Sequence, residues 1–447
     1  MTMQRYRYNS LSPDERMGLA RRPFAETESL IRTVSPIIEE VKRNGDDAVR
    51  KYSEKFDGVR PDPVGTDPEN CSSVLPAEQS EALELAARNV FRFHREQVVP
   101  SLSVETMPGI ECRKETRPIE RVGLYIPGGT APLPSTAIML GIPATVAGCQ
   151  TIVLATPPGE NGEIPPSIAW VAKKIGAKTV VRAGGAQAIA AMAYGTETVP
   201  KVDKIFGPGN RYVTAAKMAL QQSDAMVSID LPAGPSEVLV IADSGADPRF
   251  IAADLLSQAE HGPDSQVVLA AIDGFNTDVL LNELELQTAA LPRSAIARQA
   301  LEESFVLEVG SPDEAIAFSN LYAPEHLILN TADAADLAEK VQHAGSVFIG
   351  PWTPESLGDY ASGTNHTLPT YGYARMYSGV SLQSFQKSIT FQTATSEGLW
   401  NLGPTVVTLA EMEGLQAHAR AVSIRLEKLE AEVESSKKRV RNKRSGG

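Results

Sequence analysis

The feature that most limits the fold of this chain is an alternation of short apolar runs and helix-like segments between residues 135 and 349. The apolar runs are rich in β-branched residues. This alternation predicts parallel sheets with crossover helices. The predicted strands cover 151–155, 179–181, 204–206, 237–241, 267–272, 305–309, 327–329 and 346–349. The predicted helices cover 135–147, 166–175, 186–194, 211–221, 248–259, 277–291, 313–321 and 332–344.

These elements form two α/β units, which we expect to join near residues 232–235. Apolar residues recur every three or four positions in 25–55 and 77–97, which predicts two further amphipathic helices. After Gly379 the pattern predicts short loops and then one long charged helix, 407–438. Residues 1–23 are interpreted as an arm.

Charge and composition exclude several classes of protein. The net charge of −13 argues against binding of nucleic acid by the body of the chain. The basic stretch 437–444 is interpreted as part of a disordered tail. Without a run of about 18 apolar residues, a membrane helix is not expected. The polar N-terminus lacks a signal-peptide core, so the cytoplasm is the expected location.

Three glycine turns follow predicted strands of the first unit. They are Pro127–Gly129, Gly184–Gly185 and Gly207–Tyr212, and the last lacks the third glycine of a complete dinucleotide fingerprint. Backbone amides in such turns can face a phosphate. Together the turns predict a phosphate-bearing ligand at the carboxyl edge of the sheet.

One helix end carries two metal-ligand types. Gln258 and His261 are three residues apart, so they share a helix face, and Gly262-Pro263 ends the helix. An amide oxygen and an imidazole can be half of a metal site, although Gln is an uncommon zinc ligand. A solvated helix end is the other interpretation of the same residues.

Other polar residues lie at the predicted start of a strand and in a glycine-interrupted loop. Glu325 and His326 can act as an acid–base pair, with His for proton transfer and Glu to activate water. Asp359 can be a carboxylate ligand, and His366 is a second candidate imidazole. His418, alone on a charged helix, is more typical of a surface residue.

These segments together resemble the histidinol dehydrogenase family over about residues 25–430. The resemblance rests on long motifs: VGLYIPGG (122–129), GGAQAIAA (184–191), FGPGNRYV (206–213), DLPAGPSEVLVIAD (230–243), LLSQAEHGPDSQ (255–266), PEHLIL (324–329), GDYASGTNHTLPTYG (358–372) and AHARAV (417–422). The family oxidises L-histidinol to L-histidinaldehyde and then to L-histidine, with two NAD used in sequence at one site.

The resemblance implies a role for each matched position, and every position carries the residue type that the family uses. One Zn²⁺ per subunit would be held by Gln258, His261, Asp359 and His418, and these four also contact the substrate. Further substrate contacts would be Ser236, His326 and Glu413. The acid–base pair would be Glu325 and His326. NAD contacts would be Tyr125, Gln187 and Asn210.

The resemblance also implies an α/β architecture of two incomplete Rossmann-like, aldehyde-dehydrogenase-like parallel-sheet domains in a homodimer. His418 would come from the neighbouring subunit. The expected division is an arm at 1–23, a first α/β domain at 24–124 and 238–379 that carries the zinc and catalytic residues, and a second at 125–237 on the NAD side. A C-terminal helical dimerisation segment at 380–432 and a basic disordered tail at 433–447 follow.

Two alternatives remain at this stage. The aldehyde step can instead use a cysteine thiohemiacetal, for which Cys112 and Cys149 are candidates without an adjacent base. The chain can also be a related zinc- and NAD-linked dehydrogenase of another small alcohol, such as a sulfonated one. A binding protein without activity would tolerate loss of the ligands and of the acid–base pair, and none of them is lost.

Overall fold

The computed structural model describes residues 3–22, 27–128, 132–231 and 234–444. Gly129 of the first predicted glycine turn, and residues 232 and 233 of the predicted junction, lie outside these ranges. The chain divides into two units by its internal contacts. The first contains Met1–Val98 and Pro118–Phe385, and the second contains Val99–Arg117 and Gln386–Gly447.

The strands alternate with helices through most of the first unit. The strands are β1 (Gln4–Arg7), β2 (Gly65–Thr66), β3 (Leu102–Met107), β4 (Ile110–Pro118), β5 (Arg121–Tyr125), β6 (Thr151–Thr156), β7 (Thr179–Arg182), β8 (Lys204–Phe206), β9 (Ser228–Ile229), β10 (Glu237–Ala242), β11 (Gln266–Ile272), β12 (Phe305–Val309), β13 (His326–Asn330), β14 (Ser346–Ile349) and β15 (Gln386–Ala394).

The helices are α1 (Pro13–Ala20), α2 (Thr27–Asp57), α3 (Ala77–Arg95), α4 (Pro134–Ala147), α5 (Pro166–Lys174), α6 (Gly185–Tyr194), α7 (Arg211–Gln221), α8 (Pro248–Ala259), α9 (Thr277–Ala290), α10 (Ser294–Glu302), α11 (Pro312–Tyr322), α12 (Ala334–Ala338), α13 (Glu355–Tyr360), α14 (Ser396–Met412) and α15 (Gln416–Arg444). Short 3₁₀ helices cover Tyr8–Ser10, Pro68–Asn70, Tyr373–Arg375 and Leu382–Phe385.

One six-stranded sheet, here called the catalytic-side sheet, has the order β1-β12-β11-β10-β13-β14. All its paired strands are parallel. Its central strands are apolar because clusters of buried side chains cover both faces, as is usual for parallel sheets. The sheet places the first residues of β10 and β13 side by side, with Val238 opposite His326.

The other six-stranded sheet, here called the dinucleotide-side sheet, has the order β2-β7-β6-β5-β8-β9. It is parallel except for β2, which pairs antiparallel with β7. Helix α2 packs against α6 and α7, and α3 packs against α4. Strands β2 and β5 belong to this sheet. Except for Tyr125, their residues lie in the stretch 24–124, which the expected domain division assigns to the other α/β domain.

The second unit contains a three-stranded sheet, β15-β4-β3, and the paired helices α14 and α15. The prediction of one long helix at 407–438 is wrong. Two helices replace it because Gly414 adopts a φ of +73° between them, a left-handed conformation that glycine adopts readily. Helix α15 continues through Arg444, into the basic stretch for which the sequence predicts disorder.

The predicted α/β alternation is confirmed, because each of the eight predicted strands appears in the two parallel sheets. The helix expected at 332–344 is wrong in length, since α12 covers only Ala334–Ala338. Helix α10 and the three-stranded sheet were not predicted. Within the described ranges, no helix is both long enough and apolar enough to span a membrane.

Candidate active site

Two neighbouring strands of the catalytic-side sheet place the predicted acid–base pair. Glu325 directly precedes β13 and His326 is its first residue, and their exposures are only 6% and 3%. The backbone N–H of Glu237, the first residue of β10, donates to Oε2 of Glu325 at 2.9 Å. Nδ1 of His326 lies 3.1 Å from the carbonyl oxygen of Glu237 and donates to it, because that oxygen can only accept.

Helix α13 brings the predicted carboxylate ligand to the same place. Oδ1 of Asp359 lies 3.3 Å from Nε2 of His326, although the two atoms do not align as a hydrogen bond. Burial alone would raise the pKa of Asp359. The nearby histidines, His326, His366 and His261, outweigh burial and lower that pKa. The charged form of the Asp359 carboxylate is therefore favoured at this site.

Gln258 lies in the last turn of α8, whereas His261 lies just beyond the helix, so the expectation that both share one helix face is wrong; the backbone N–H of His261 donates to the carbonyl oxygen of Gln258 at 3.2 Å. Gln258 is fully buried. In the orientation that satisfies both amide atoms, its nitrogen donates to Oε1 of Glu355 at 2.9 Å and its oxygen accepts from the backbone of Glu237 at 3.2 Å. His261 is exposed, but desolvation by the protein around its ring still lowers its pKa. A lowered pKa keeps His261 neutral near pH 7, the form that binds metals.

Two buried acidic residues near this site were missed by the sequence interpretation. Glu355 is 1% exposed and accepts from Oγ of Ser257 at 2.8 Å. Asp254 lies one turn before Gln258 on α8. Burial raises the pKa of Glu355 to about 8 and that of Asp254 to about 7. The spacing of four between Glu355 and Asp359 was the available signal, because it places both carboxylates on one face of α13.

The acid–base pair lies in a cluster of interacting charges. Burial alone would lower the pKa of His326, but Glu325, Asp359 and Glu355 together raise it to about 10. Burial raises the pKa of Glu325 to about 8, although His326 opposes that rise. Both groups are therefore stronger bases than the same side chains in water.

The loop after α13 joins this cluster to the dinucleotide-side sheet. Nδ1 of His366 lies 2.8 Å from the carbonyl oxygen of Asp359, and its Nε2 lies 3.2 Å from Oγ1 of Thr136 on α4. The side-chain amide of Asn365 donates to the carbonyl of Met139, also on α4. The loop is thus hydrogen-bonded to α4, a helix that packs against the dinucleotide-side sheet.

A cavity of about 50 Å³ adjoins the acid–base pair. It is lined by Glu325, by Ser236 and His366, and by residues of the Gly207 turn. Ser236, predicted as a substrate contact, therefore lies at the same cavity as the predicted catalytic carboxylate.

Two predicted NAD contacts meet at the start of α6. The hydroxyl of Tyr125 accepts from the backbone N–H of Gly185 at 3.0 Å, and burial raises its pKa to about 12. Gln187 is 1% exposed, and neither of its amide atoms has a hydrogen-bond partner within the described part of the chain. A buried amide without partners is costly, so these atoms are suited to a ligand.

The third predicted NAD contact, Asn210, caps α7. Its Oδ1 accepts from the backbone N–H groups of Tyr212 and Val213 at 3.0 and 3.1 Å. Gly207 in the preceding turn has a φ of +120°, and a Cβ there would lie 2.0 Å from the carbonyl oxygen of Tyr125. Glycine is therefore required at this turn, because it keeps β5 and α7 close together.

The last two predicted site residues belong to the second unit. Glu413 follows α14 and His418 lies in the first turn of α15, and both side chains are exposed. Within the described ranges, no three His, Cys, Asp or Glu side chains are grouped as a metal site. In the first unit, Nδ1 of His326 lies 4.0 Å from Oε2 of Glu355, which is the partner of the Gln258 amide, and its Nε2 lies 3.3 Å from Oδ1 of Asp359.

Comparison with known proteins identifies the family. The family model for histidinol dehydrogenase matches residues 20–426. The chain belongs to the histidinol dehydrogenase family. The chloroplastic histidinol dehydrogenase of Arabidopsis thaliana is 56% identical over 96% of this chain and 93% of its own length. The Schizosaccharomyces pombe histidinol dehydrogenase is 51% identical over 94% of this chain and 97% of its own length.

A solved structure agrees with the sequence comparison. The crystal structure of histidinol dehydrogenase from Elizabethkingia anophelis matches with a TM-score of 0.91 and 50% identity, over 96% of this chain and 99% of that chain. As a histidinol dehydrogenase, the protein is an oxidoreductase of the final step of histidine biosynthesis.

Two of the three cysteines of this chain, Cys71 and Cys149, lack the lowered pKa of a catalytic nucleophile. Burial raises the pKa of the Cys149 thiol to about 12, and its Sγ lies 3.9 Å from the carbonyl oxygen of Phe385. Burial also raises the pKa of Cys71. Cys112 lies on β4 in the second unit. A reactive cysteine needs a lowered pKa, so Cys149 is a poor candidate for a thiohemiacetal.

Proposed function

We propose that the protein is a zinc-dependent enzyme that oxidises L-histidinol to L-histidinaldehyde and then to L-histidine, using two NAD in sequence at one site. The observation that carries the proposal is the convergence of Glu325, His326 and Asp359 with the end of α8. Nε2 of His326 faces Asp359, while its Nδ1 is bound to the backbone of Glu237. An imidazole held in this way presents one nitrogen for proton transfer.

His326 serves as the base in both oxidations. It accepts the hydroxyl proton of the alcohol in the first step and the hydroxyl proton of the aldehyde hydrate in the second. The neighbouring Glu325, Asp359 and Glu355 stabilise the protonated form that each transfer produces. NAD supplies the hydride acceptor for each oxidation.

Glu325 serves the second step. Its carboxylate activates the water that adds to the aldehyde, which generates the hydrate. Burial raises its pKa and so makes the deprotonated carboxylate a stronger base than a glutamate in water. The cavity beside Glu325 and Ser236 has room for the attacking water.

The donor atoms fit zinc. Gln258, His261 and Asp359 offer an amide oxygen, a neutral imidazole and a charged carboxylate, a mixed N/O set that suits this metal. They would hold one ion per subunit together with His418. Zinc supplies a fixed point for the imidazole and amino nitrogens of the substrate. Glu355 and the backbone of Glu237 hold the Gln258 amide in place.

A homodimer completes the site, with His418 and Glu413 contributed by the neighbouring subunit. Both side chains are exposed in the second unit, where a partner can reach them. The same unit exposes several large apolar side chains, which is typical of an interface. They include Leu102, Val104, Leu409, Met412, Leu415 and Ile424.

Tyr125, Gln187 and Asn210 bind NAD. They lie at the starts of α6 and α7, where backbone N–H groups and the helix dipoles favour a phosphate. The unpartnered amide of Gln187 supports this assignment. The cytoplasmic location stays a prediction, and two plant relatives are named chloroplastic.

The test is a steady-state assay of NADH formation with L-histidinol and with other small alcohols, including a sulfonated one. We expect two NADH per histidinol consumed. Activity should disappear after chelation and return when zinc is added. A higher kcat/KM for the sulfonated alcohol would favour the related dehydrogenase, and full activity without bound metal would exclude the zinc site.

A further inference from the structure

A buried arginine from the N-terminal segment is linked to the acid–base pair through Glu237. Arg22 follows α1, and its side chain is only 5% exposed. Its Nε and Nη2 donate to the two carboxylate oxygens of Glu237, each at 2.8 Å. Its Nη1 donates to the carbonyl oxygens of Ala20 and Tyr322 at 2.7 and 2.6 Å. The guanidinium carbon lies 3.3 Å from the centre of the Tyr322 ring.

The partner of this arginine touches both residues of the acid–base pair. The backbone N–H of Glu237 donates to Oε2 of Glu325 at 2.9 Å, and Oε1 of Glu237 accepts from the backbone N–H of Glu325 at 3.3 Å. The carbonyl oxygen of Glu237 accepts from Nδ1 of His326 at 3.1 Å. Glu237 therefore holds Glu325 by two hydrogen bonds and His326 by one.

We propose that Arg22 and Glu237 are positioning residues that fix the Glu325 carboxylate and the His326 imidazole for catalysis. The proposal rests on the roles assigned to Glu325 and His326 above. Neither Arg22 nor Glu237 touches the reacting atoms. They act through the hydrogen bonds that orient the two catalytic side chains.

The local backbone makes such positioning necessary. Adjacent side chains on an extended chain point in opposite directions, yet Glu325 and His326 must serve one substrate. The backbone of Glu237 resolves this conflict, because it holds one side chain through its N–H and the other through its carbonyl oxygen. The position of the Glu237 backbone depends in turn on the group that binds the Glu237 carboxylate.

Arg22 binds the Glu237 carboxylate and places a positive charge beside it. A two-point pairing of guanidinium and carboxylate fixes direction as well as distance. The carboxylates of Glu237 and Glu325 are both buried and close together, so they repel each other when both are charged. The cation of Arg22 offsets this repulsion. Loss of Arg22 would leave a buried carboxylate without its partner, so Glu237 would move or take up a proton.

The experiment compares Arg22→Met and Arg22→Lys with Arg16→Met. Arg16 is a matched control because it also lies in the N-terminal segment, stacks on a tyrosine and donates to a backbone carbonyl, but it does not contact Glu237. The two half-reactions are measured separately, together with KM for NAD and the thermal midpoint. Misplacement of catalytic groups by about 1 Å can cost about 100-fold in rate.

We expect Arg22→Met to lower kcat of both half-reactions by about 10- to 100-fold, while KM for NAD changes by less than about twofold. Arg22→Lys should recover part of the loss, and Arg16→Met should behave like the parent. If Arg22→Met does not fold, Arg22→Lys and Glu237→Gln provide the same comparison. Unchanged kcat in the folded variants, with only a lower thermal midpoint, would overturn the proposal.

A double variant separates positioning from a general structural role. In a Glu325→Gln background the addition of water limits the rate of the aldehyde step, so adding Arg22→Met should slow that step little further even though His326 is also displaced. The alcohol step should still slow as in the single variant. Equal, additive losses in both steps would argue against action through Glu325. Full activity of Glu325→Gln and His326→Ala alone would instead reject the proposed function.

Discussion

Two sites in the first unit, here called the catalytic corner and the cofactor corner, differ in whether their buried polar atoms have hydrogen-bond partners. At the starts of β10 and β13, Arg22, Glu237 and Glu325 bind one another through several hydrogen bonds. At the start of α6, both amide atoms of Gln187 and Oδ2 of Asp57 have no hydrogen-bond partner among the residues that the structure describes. The first corner is organised by the protein itself, and the second offers its atoms to a ligand.

The difference suggests how each corner contributes to turnover. Groups that carry out chemistry must be held in one geometry, whereas groups that bind a cofactor twice per cycle must exchange partners. His326 shows this division in one side chain. Its Nδ1 is bound to Glu237, while its Nε2 has no aligned hydrogen bond within the described ranges. The free nitrogen is the one that we assign to proton transfer.

The largest expected effect comes from the acid–base pair. His326→Ala should slow both oxidations by roughly 10²- to 10⁴-fold, because each loses its base. Glu325→Gln should spare the alcohol step and slow the aldehyde step by roughly 10²-fold or more. Single-turnover measurements with histidinol and with histidinaldehyde separate the steps. Equal loss in both steps for Glu325→Gln would contradict the division of labour.

The next effect concerns the metal. Asp359→Ala should weaken zinc binding by at least about 100-fold, since loss of a group that only supports a ligand already costs 10- to 100-fold. Elemental analysis after dialysis against a weak chelator measures the bound zinc independently of activity. Glu260→Gln, at the end of α8, is the control and should retain the metal. Zinc retained by Asp359→Ala would remove Asp359 from the ligand set.

The cofactor corner should respond differently from the catalytic corner. Gln187→Met replaces a buried amide that lacks partners by an apolar side chain of similar size. We expect KM for NAD to rise about tenfold with kcat nearly unchanged, because roughly one hydrogen bond to the ligand is lost. The free energy of unfolding of the ligand-free protein should stay equal or rise by about 1 kcal/mol. Clear destabilisation by Gln187→Met would mean that the amide has a structural role.

The smallest effect tests whether every unpartnered atom marks a binding site. His94 on α3 is fully buried, its Nδ1 lies 2.8 Å from the carbonyl oxygen of Val90, and its Nε2 is unpartnered within the described part of the chain. Burial lowers its pKa below the ordinary value of 6.5. The contribution of neutral His94 to the free energy of unfolding is therefore fully present above pH 6.5, the ordinary pKa of the unfolded chain. It is lost as the pH falls through the lower pKa of His94 in the folded state.

Denaturant unfolding of the parent and of His94→Leu at several pH values tests this expectation. The parent should lose stability as the pH falls from 6.5, and the variant should lose less over the same range. Kinetic constants at pH 7 should not change. A rise in KM for NAD in His94→Leu would weaken the contrast with Gln187.

The sequence predicts the local parts of this structure well. The parallel strands follow from runs such as 237–241 and 267–272, whose continuous apolar character reflects burial on both faces. The helix that carries Gln258 follows from local spacing, although it ends at Ala259 and leaves His261 just beyond it. The break at Gly414 was available in the sequence, since glycine commonly ends helices, but the surrounding helical pattern concealed it.

The long-range contacts could not be predicted in this way. The pairing of Arg22 with Glu237 joins residues far apart in the chain, and no spacing rule connects them. Glu355 appeared to be an ordinary acidic residue after a proline, because its burial depends on packing beside Ser257 and His326. The approach of Glu413 and His418 to a site also depends on an assembly that the pattern of one chain does not describe.

The loop that follows Asp359 has a mechanical consequence. Its residues His366 and Asn365 are hydrogen-bonded to Thr136 and Met139 on α4. Helix α4 packs against the dinucleotide-side sheet. Asp359 itself lies against His326 of the catalytic-side sheet. A relative displacement of the two sheets would therefore act on the backbone of Asp359, whose carbonyl oxygen lies 2.8 Å from Nδ1 of His366. The position of Asp359 and the arrangement of the two sheets would then be coupled through a single loop.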